Sequence, residues 1–178
     1  EIVSERYGLT REMQDEYAIA SLTRAQKAQT SGAFEREITP VEVKTRKGVE
    51  TVSLDEQPSK ADASKIPGLR PAFLKDGTIT AANASSISDG AAALVLTRQS
   101  VAEKLGMPIV ARIVSHAAHA HEPSQFTTAP IPAIRKALDK AGWKVSDVDL
   151  FEVNEAFAVV AMAAAKDLGI PREKLNIN

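Results

Sequence analysis

Beyond residue 108 the sequence predicts an α/β fold, a parallel sheet covered by helices. Three observations carry this. Strand-like and helix-like segments alternate: a strand through Ile109, Val110, Ile113 and Val114, a helix, a strand over 148–153, then a second helix from Ala156 to Leu168. That second helix is nearly all apolar from Ala156 to Ala165, as expected of one buried on most of its circumference. Across 178 residues, 44% hydrophobic and 25% charged content is the balance of a packed globular core.

Each element has its own local signal. Glu1 opens the chain without a methionine, partway into what reads as a helix, and residues 175–178 alternate like a strand just beginning. The sequence therefore reads as an interior piece of a longer protein. Thr10 can cap a helix whose inward positions, spaced by threes and fours, include Met13, Tyr17, Ala18, Ser21, Ala25 and Ala28, with Gly32 as the stop. Alternation through Ile38, Val41 and Val43, a turn at 46–48, and alternation again through Val52 and Leu54 predict a hairpin. Residues 55–71 are polar and proline-bearing and read as a loop.

Thr78-Ile79-Thr80 then leads into small residues from Ala81 to Ser88, a turn at Asp89-Gly90 and a buried strand over 91–96. Ser100 and Glu103 have capping-box spacing for a short helix ending at Gly106. The helix that follows the strand at 109–114 carries Ile131, Ile134, Leu138 and Ala141 on one face and stops at Gly142.

Several function classes are set aside by composition. A net charge of −1 gives no electrostatic case for nucleic acid or an anionic membrane. No apolar run approaches the roughly 20 residues of a membrane helix, and no signal peptide precedes the first helix. With no cysteine, the chain has no disulfide, thiolate metal site or cysteine nucleophile of its own.

Four places could carry chemistry. At Val153-Asn154-Glu155-Ala156-Phe157 a polar pair sits where a strand gives way to the apolar helix. Asn154 can be the helix N-cap, with Glu155 complementing the dipole, or its amide can face a crevice and hold a water or an oxyanion. The run Thr80-Ala81-Ala82-Asn83-Ala84-Ser85-Ser86-Ile87-Ser88-Asp89-Gly90 can be a tight turn before a core strand, or one wall of a narrow channel for an extended, mostly apolar ligand with amide groups, offering hydroxyls and Asn83 as hydrogen-bonding groups. His116, His119 and His121 beside Glu122 invite a metal reading, but they follow a strand that ends near Ser115 with no second ligand group, so loop histidines are expected and no metal. Residues 44–75 are locally basic, which suits a solvated face or the phosphates of a nucleotide-like ligand.

Together, Asn154-Glu155-Ala156-Phe157, Thr80-Ala81-Ala82-Asn83-Ala84-Ser85, Ser88-Asp89-Gly90-Ala91-Ala92-Ala93, Arg70-Pro71-Ala72-Phe73 and Ala129-Pro130-Ile131-Pro132-Ala133 resemble the thiolase family of acetyl-CoA acetyltransferases and 3-ketoacyl-CoA thiolases. The resemblance runs through the whole chain in order. It implies a thiolase-like α/β fold: parts of two βαβαβαββ halves plus an inserted loop domain. Residues 1–87 would be part of the loop domain, 88–107 the end of the N-terminal half, and 108–178 the start of the C-terminal half.

The roles implied follow the matching positions. Asn154 would hold a water in the oxyanion hole that stabilises the acetyl-CoA enolate. Ala81, Ser85, Ile87, Phe73 and Phe157 would line the pantetheine tunnel, with the Ser85 hydroxyl offered to a pantetheine amide. Phe126 would pack near the acyl end, and Lys60 and Lys65 would reach the CoA phosphates or adenosine. The expected partner is acetyl-CoA or another acyl-CoA, as substrate and with no separate cofactor. Neither nucleic acid nor membrane is expected as a partner. Some relatives bind monovalent ions near the loop domain. The intact protein would be a homodimer or homotetramer, in the cytoplasm.

One departure is decisive. Family chemistry needs a nucleophilic cysteine, an activating histidine and a second cysteine acting as acid and base. This chain has no cysteine, and none of its histidines sits in a matching context. It is expected to supply CoA-binding and oxyanion elements and to be inactive alone. Two alternatives are a non-catalytic CoA or acyl-chain binding module and a purely structural domain.

Overall fold

The computed structural model describes residues 1–178. Helix α1 (Ile2–Tyr7) turns at Gly8, whose φ of 63° is the left-handed conformation a tight helix stop requires. Helix α2 (Arg11–Thr30) starts where the sequence predicts: the Thr10 hydroxyl accepts the Met13 N–H at 3.3 Å. Its buried face differs from expectation. Tyr17, Ala18 and Ala28 are buried, Met13 is exposed, and Gln14 and Asp15 are buried instead. Gln14 can be inside because its amide donates to Ser4, Leu9 and Thr78, tying α1 and the 78–80 segment to α2.

The hairpin forms as β1 (Val41–Thr45) and β2 (Gly48–Val52), antiparallel, with Thr45 opposite Gly48. Both strands are exposed on both faces. The stretch read as a loop instead holds α3 (Glu56–Lys60) and a 3-10 helix (Ala63–Gly68), started by the Asp55 and Asp62 carboxylates accepting the N–H groups two residues on. Aspartate capping is the physical reason, starting short helices even in a proline-bearing segment.

Helix α4 (Gln99–Lys104) ends as predicted, with Gly106 at φ 62°, but lacks the capping box: Ser100 lies inside the helix and Arg98 precedes it with no side-chain cap. Helix α5 (Pro130–Ala141) stops at Gly142, φ 70°, and buries Ile131. Helix α6 (Ala158–Leu168) begins two residues later than predicted and lies at the centre of the core. Ala161, Ala163 and Ala164 are fully enclosed there, against Val3, Tyr17, Ile79, Ile131 and Phe151. Small side chains let neighbouring elements approach the α6 backbone, and one buried Leu such as Leu168 adds about 1.5–3 kcal/mol.

Of the predicted parallel sheet, one bridge is present. Phe151 pairs with Leu175 in parallel: the Phe151 N–H donates to Lys174 C=O at 2.7 Å, and the Asn176 N–H donates to Phe151 C=O at 2.9 Å. The strands predicted over 91–96 and 109–114 do not form. Leu94, Val95 and Leu96 are exposed, as are Val110 and Ile113, and no strand of the chain runs beside either segment. Alternation and apolar content prepare a segment for a sheet, but the ladder exists only with a neighbour to share its hydrogen bonds.

Candidate functional site at the 154–157 turn

The turn before α6 meets the small-residue strip through backbone pairing. Ala84 and Phe157 form an antiparallel bridge; the Ser85 N–H donates to Ala156 C=O at 3.0 Å, and the Ala158 N–H donates to Asn83 C=O at 2.8 Å. The second bond satisfies the first N–H of α6, a group that a side chain would otherwise cap. Accordingly Phe157 occupies the N-cap position without any side-chain cap. Asn154 lies four residues before the helix, exposed to solvent, so the reading of Asn154 as N-cap is overturned.

The strip is folded by its own polar groups. The Asn83 carboxamide accepts the Thr80 N–H at 2.8 Å and donates to Thr78 C=O at 3.0 Å, and Asn83 is buried. Asn83 is therefore committed to the turn and has no role facing a ligand, a correction to the expectation that it offers hydrogen bonds outward. Ala81 and Ser85 remain exposed beside it. Phe126 packs edge-on against Phe157, with ring centroids 6.4 Å apart. Backbone pairing thus brings the strip alongside the turn before α6, and Phe126 packs against the Phe157 of that turn.

Other expected site residues sit at its margins. The Ala72 N–H donates to Ile79 C=O at 2.8 Å, which brings the segment carrying Phe73 alongside the start of the strip, while the Phe73 ring itself is exposed. Ile87 is fully exposed just past the strip. Lys60 pairs with Glu56 at 2.9 Å and Lys65 with Asp62 at 3.4 Å, both on the surface, where such pairs hold a side chain only loosely.

Two of the three histidine rings are engaged by neighbouring groups. His121 Nε2 lies 2.7 Å from Gln125 C=O, and His119 Nδ1 lies 3.0 Å from Lys136 Nζ. Partial burial and the neighbouring Lys136 charge hold His119 below the ordinary histidine range.

Beneath the turn lies a polar cluster that the sequence reading did not identify. Glu155 Oε1 accepts from the Tyr17 hydroxyl at 2.8 Å and from Asn176 Nδ2 at 2.8 Å, and Oε2 accepts from the Ser21 hydroxyl at 2.7 Å. Burial and the Glu155 carboxylate push Tyr17 far above the ordinary tyrosine value, so its phenol stays a donor. Arg172 stacks 3.9 Å over the Tyr17 ring, and Arg24 donates to the carbonyls of Leu175 and Asn176 at 2.9 and 2.7 Å. Tyr17, Ser21 and Arg24 are spaced i, i+4, i+7 on one stripe of α2, the signal that could have revealed them. A cavity of about 180 Å³ opens between this stripe, Glu155 and residues 82–85.

The chain is similar to known proteins in sequence and in fold. Residues 1–100 match the family model for the N-terminal domain of thiolase, and residues 107–178 match the one for its C-terminal domain. An acetyl-CoA acetyltransferase of Yarrowia lipolytica is 51% identical over 99% of this chain and 45% of its own length, and a cytosolic acetyl-CoA acetyltransferase of mouse is 48% identical over 100% and 46%. The chain spans about half the length of the curated relatives it matches. Among solved structures, the acetyl-CoA acetyltransferase of Bacillus anthracis superposes with a TM-score of 0.94 at 44% identity, over 98% of this chain and 45% of that one. Human mitochondrial 3-ketoacyl-CoA thiolase gives 0.87 at 37% identity, over 99% and 45%.

Proposed function

The chain belongs to the thiolase family, and from that premise we propose that it is the acyl-CoA-binding and oxyanion-supplying segment of an acetyl-CoA acetyltransferase. In the intact enzyme one acetyl group passes from CoA to a cysteine thiolate with loss of CoA thiolate. A second acetyl-CoA loses a proton from its methyl carbon, and the resulting enolate carbon attacks the acyl-cysteine carbonyl, releasing the cysteine and forming acetoacetyl-CoA. The reverse direction is thiolysis of a 3-ketoacyl-CoA. The cysteines come from outside these 178 residues, since none is among them, and so does the activating histidine, since none of the three histidines present sits in a matching context.

Asn154 is the one catalytic residue in this reading. Its carboxamide, through a water, stabilises the enolate oxygen, a donor whose loss typically costs about 10²–10³ in rate. Ser85, Ala81, Phe73, Ile87 and Phe157 form the pantetheine wall, Phe126 the acyl end, and Lys60 and Lys65 the phosphate end. The observation that carries the reading is the backbone pairing of Asn83–Ser85 with Ala156–Ala158, which sets the exposed Asn154 turn against the exposed Ser85 strip.

The thioester is substrate and no further cofactor takes part. The reading includes a homodimer or homotetramer of the intact protein and a cytoplasmic location; relatives described as cytosolic in mouse and rat support the latter. No helix of the structure is long and apolar enough to cross a membrane.

A non-catalytic CoA-binding module is the second reading, favoured by the lack of cysteine. Titrating CoA into the chain while following backbone amide resonances tests what both readings share. Shifts concentrated at Ser85 and Phe157 are expected, and no response at either position would overturn both.

A further inference from the structure

Asn154 is exposed between two chain neighbours that are held by side chains of helix α2 and of the C-terminal segment. Its preceding residue, Val153, is gripped on both backbone groups by the Asn176 side chain: Oδ1 accepts the Val153 N–H at 2.8 Å and Nδ2 donates to Val153 C=O at 2.8 Å. Its following residue, Glu155, is held by Tyr17, Ser21 and the same Asn176 Nδ2. Asn176 is buried and is the one non-glycine residue with positive φ, 46°. A conformation this sparsely populated persists where the surroundings over-determine it, and here Arg24 fixes both adjoining carbonyls.

We propose that Tyr17, Ser21 and Asn176 are positioning residues that aim the Asn154 amide by clamping its two chain neighbours, so that helix α2 sets the direction of the oxyanion donor. This rests on the proposed role of Asn154 for its functional consequence, but not for its mechanical part. A donor helps only when it is preorganised toward the developing charge, and a misplacement of about 1 Å forfeits much of the benefit. Glu155 needs to be a carboxylate here because it accepts three donors with two oxygens and donates none.

The test uses the 178-residue chain, ¹⁵N-labelled, with Tyr17→Phe, Ser21→Ala, Ser21→Thr and Asn176→Gly. Glycine tolerates the positive φ, so Asn176→Gly removes the carboxamide without adding backbone strain. The backbone order parameter of Asn154 is expected near the rigid value of about 0.85 in the parent and to fall toward about 0.6 in Asn176→Gly and Tyr17→Phe. Ser21→Ala should fall part of the way, and Ser21→Thr, which keeps the hydroxyl, should restore the parent value. Order at Ala163, inside α6, should stay unchanged in all four.

In parallel, acetyl-CoA is added and the Asn154 side-chain amide resonance is followed. Its shift on binding should shrink in the clamp variants while the amide shift at Ser85 persists. An Asn154 turn that stays rigid in both Tyr17→Phe and Asn176→Gly would overturn the proposal. A parent chain that ignores acetyl-CoA would overturn the functional reading and leave the clamp to be judged on order alone. If a variant loses its dispersed spectrum, Ser21→Ala against Ser21→Thr decides the question, because that pair differs by the least packing.

Discussion

Asn176 grips Val153 through both ends of one carboxamide, at 2.8 Å on each side, and so replaces a strand neighbour with a side chain. The bridge between Phe151 and Leu175 ends there, and Asn176 carries its hold two residues further, to Glu155. Each such bond contributes about 0.5–1.5 kcal/mol net, against roughly 1–2 kcal/mol for a left-handed residue with a Cβ. Asn176→Ala keeps the strain and loses the bonds, whereas Asn176→Gly loses both. The alanine variant should therefore be less stable than the glycine variant by about 1 kcal/mol, as read from urea midpoints at constant slope. Equal midpoints would mean that φ at 176 relaxes freely.

Glu155 and Asn154 are adjacent but should behave oppositely. Removing the Glu155 carboxylate leaves the Tyr17 and Ser21 hydroxyls and the Asn176 amide without their acceptor. Glu155→Ala should cost about 2–4 kcal/mol. Asn154 is exposed and caps nothing, so Asn154→Ala should move stability by no more than about 0.5 kcal/mol. Paired denaturant titrations check this, and a large loss for Asn154→Ala would assign that side chain a structural role.

The centre of α6 has no room to grow. Ala161, Ala163 and Ala164 are wholly enclosed. Ala163→Leu should destabilise by about 1–3 kcal/mol through overpacking, despite leucine's good helix propensity. A thermal melt that rises instead would mean that the helix has space beside it.

Acid should loosen the start of the strip. The Glu1 carboxylate accepts the N–H groups of Thr78 and Ile79 and the Thr78 hydroxyl. Burial opposes ionisation, but these bonds outweigh it and hold Glu1 below its ordinary 4.5. A carboxyl depressed in the folded state contributes its stabilisation above 4.5 and loses it as pH falls through the lowered value. Amide exchange at Thr78 and Ile79 should accelerate over that acidic window beyond the intrinsic change, and Glu1→Gln should abolish the pH dependence. Unchanged protection in acid would contradict this.

Much of the helical frame is legible in the sequence because its signals are local. Thr10, Gly106 and Gly142 start or stop helices where the pattern places them. The pairing of Ala84 with Phe157 joins residues far apart in the chain, which no periodicity could supply. Sheet formation is not local, so the apolar runs at 91–96 and 109–114 mislead in a chain that brings no strand to their sides. The buried face of α2 departs from its spacing for a related reason. Gln14 is inside with its amide nitrogen donating to Ser4, Leu9 and Thr78, and Met13 is outside because nothing distant covers it. The clamp under Asn154 combines a helix stripe with a residue at the far end of the chain, so only its α2 half leaves a trace in the spacing.

The thioester carbonyl is the most direct reporter of what Asn154 does. Acetyl-CoA labelled with ¹³C at the acetyl carbonyl, bound to the chain, should show that resonance displaced downfield from its free position by a polarising donor. In Asn154→Ala the displacement should vanish while the ligand still binds. A carbonyl resonance at the same position in the parent and in Asn154→Ala, with acetyl-CoA bound to both, would contradict the assignment of this amide to the reacting oxygen.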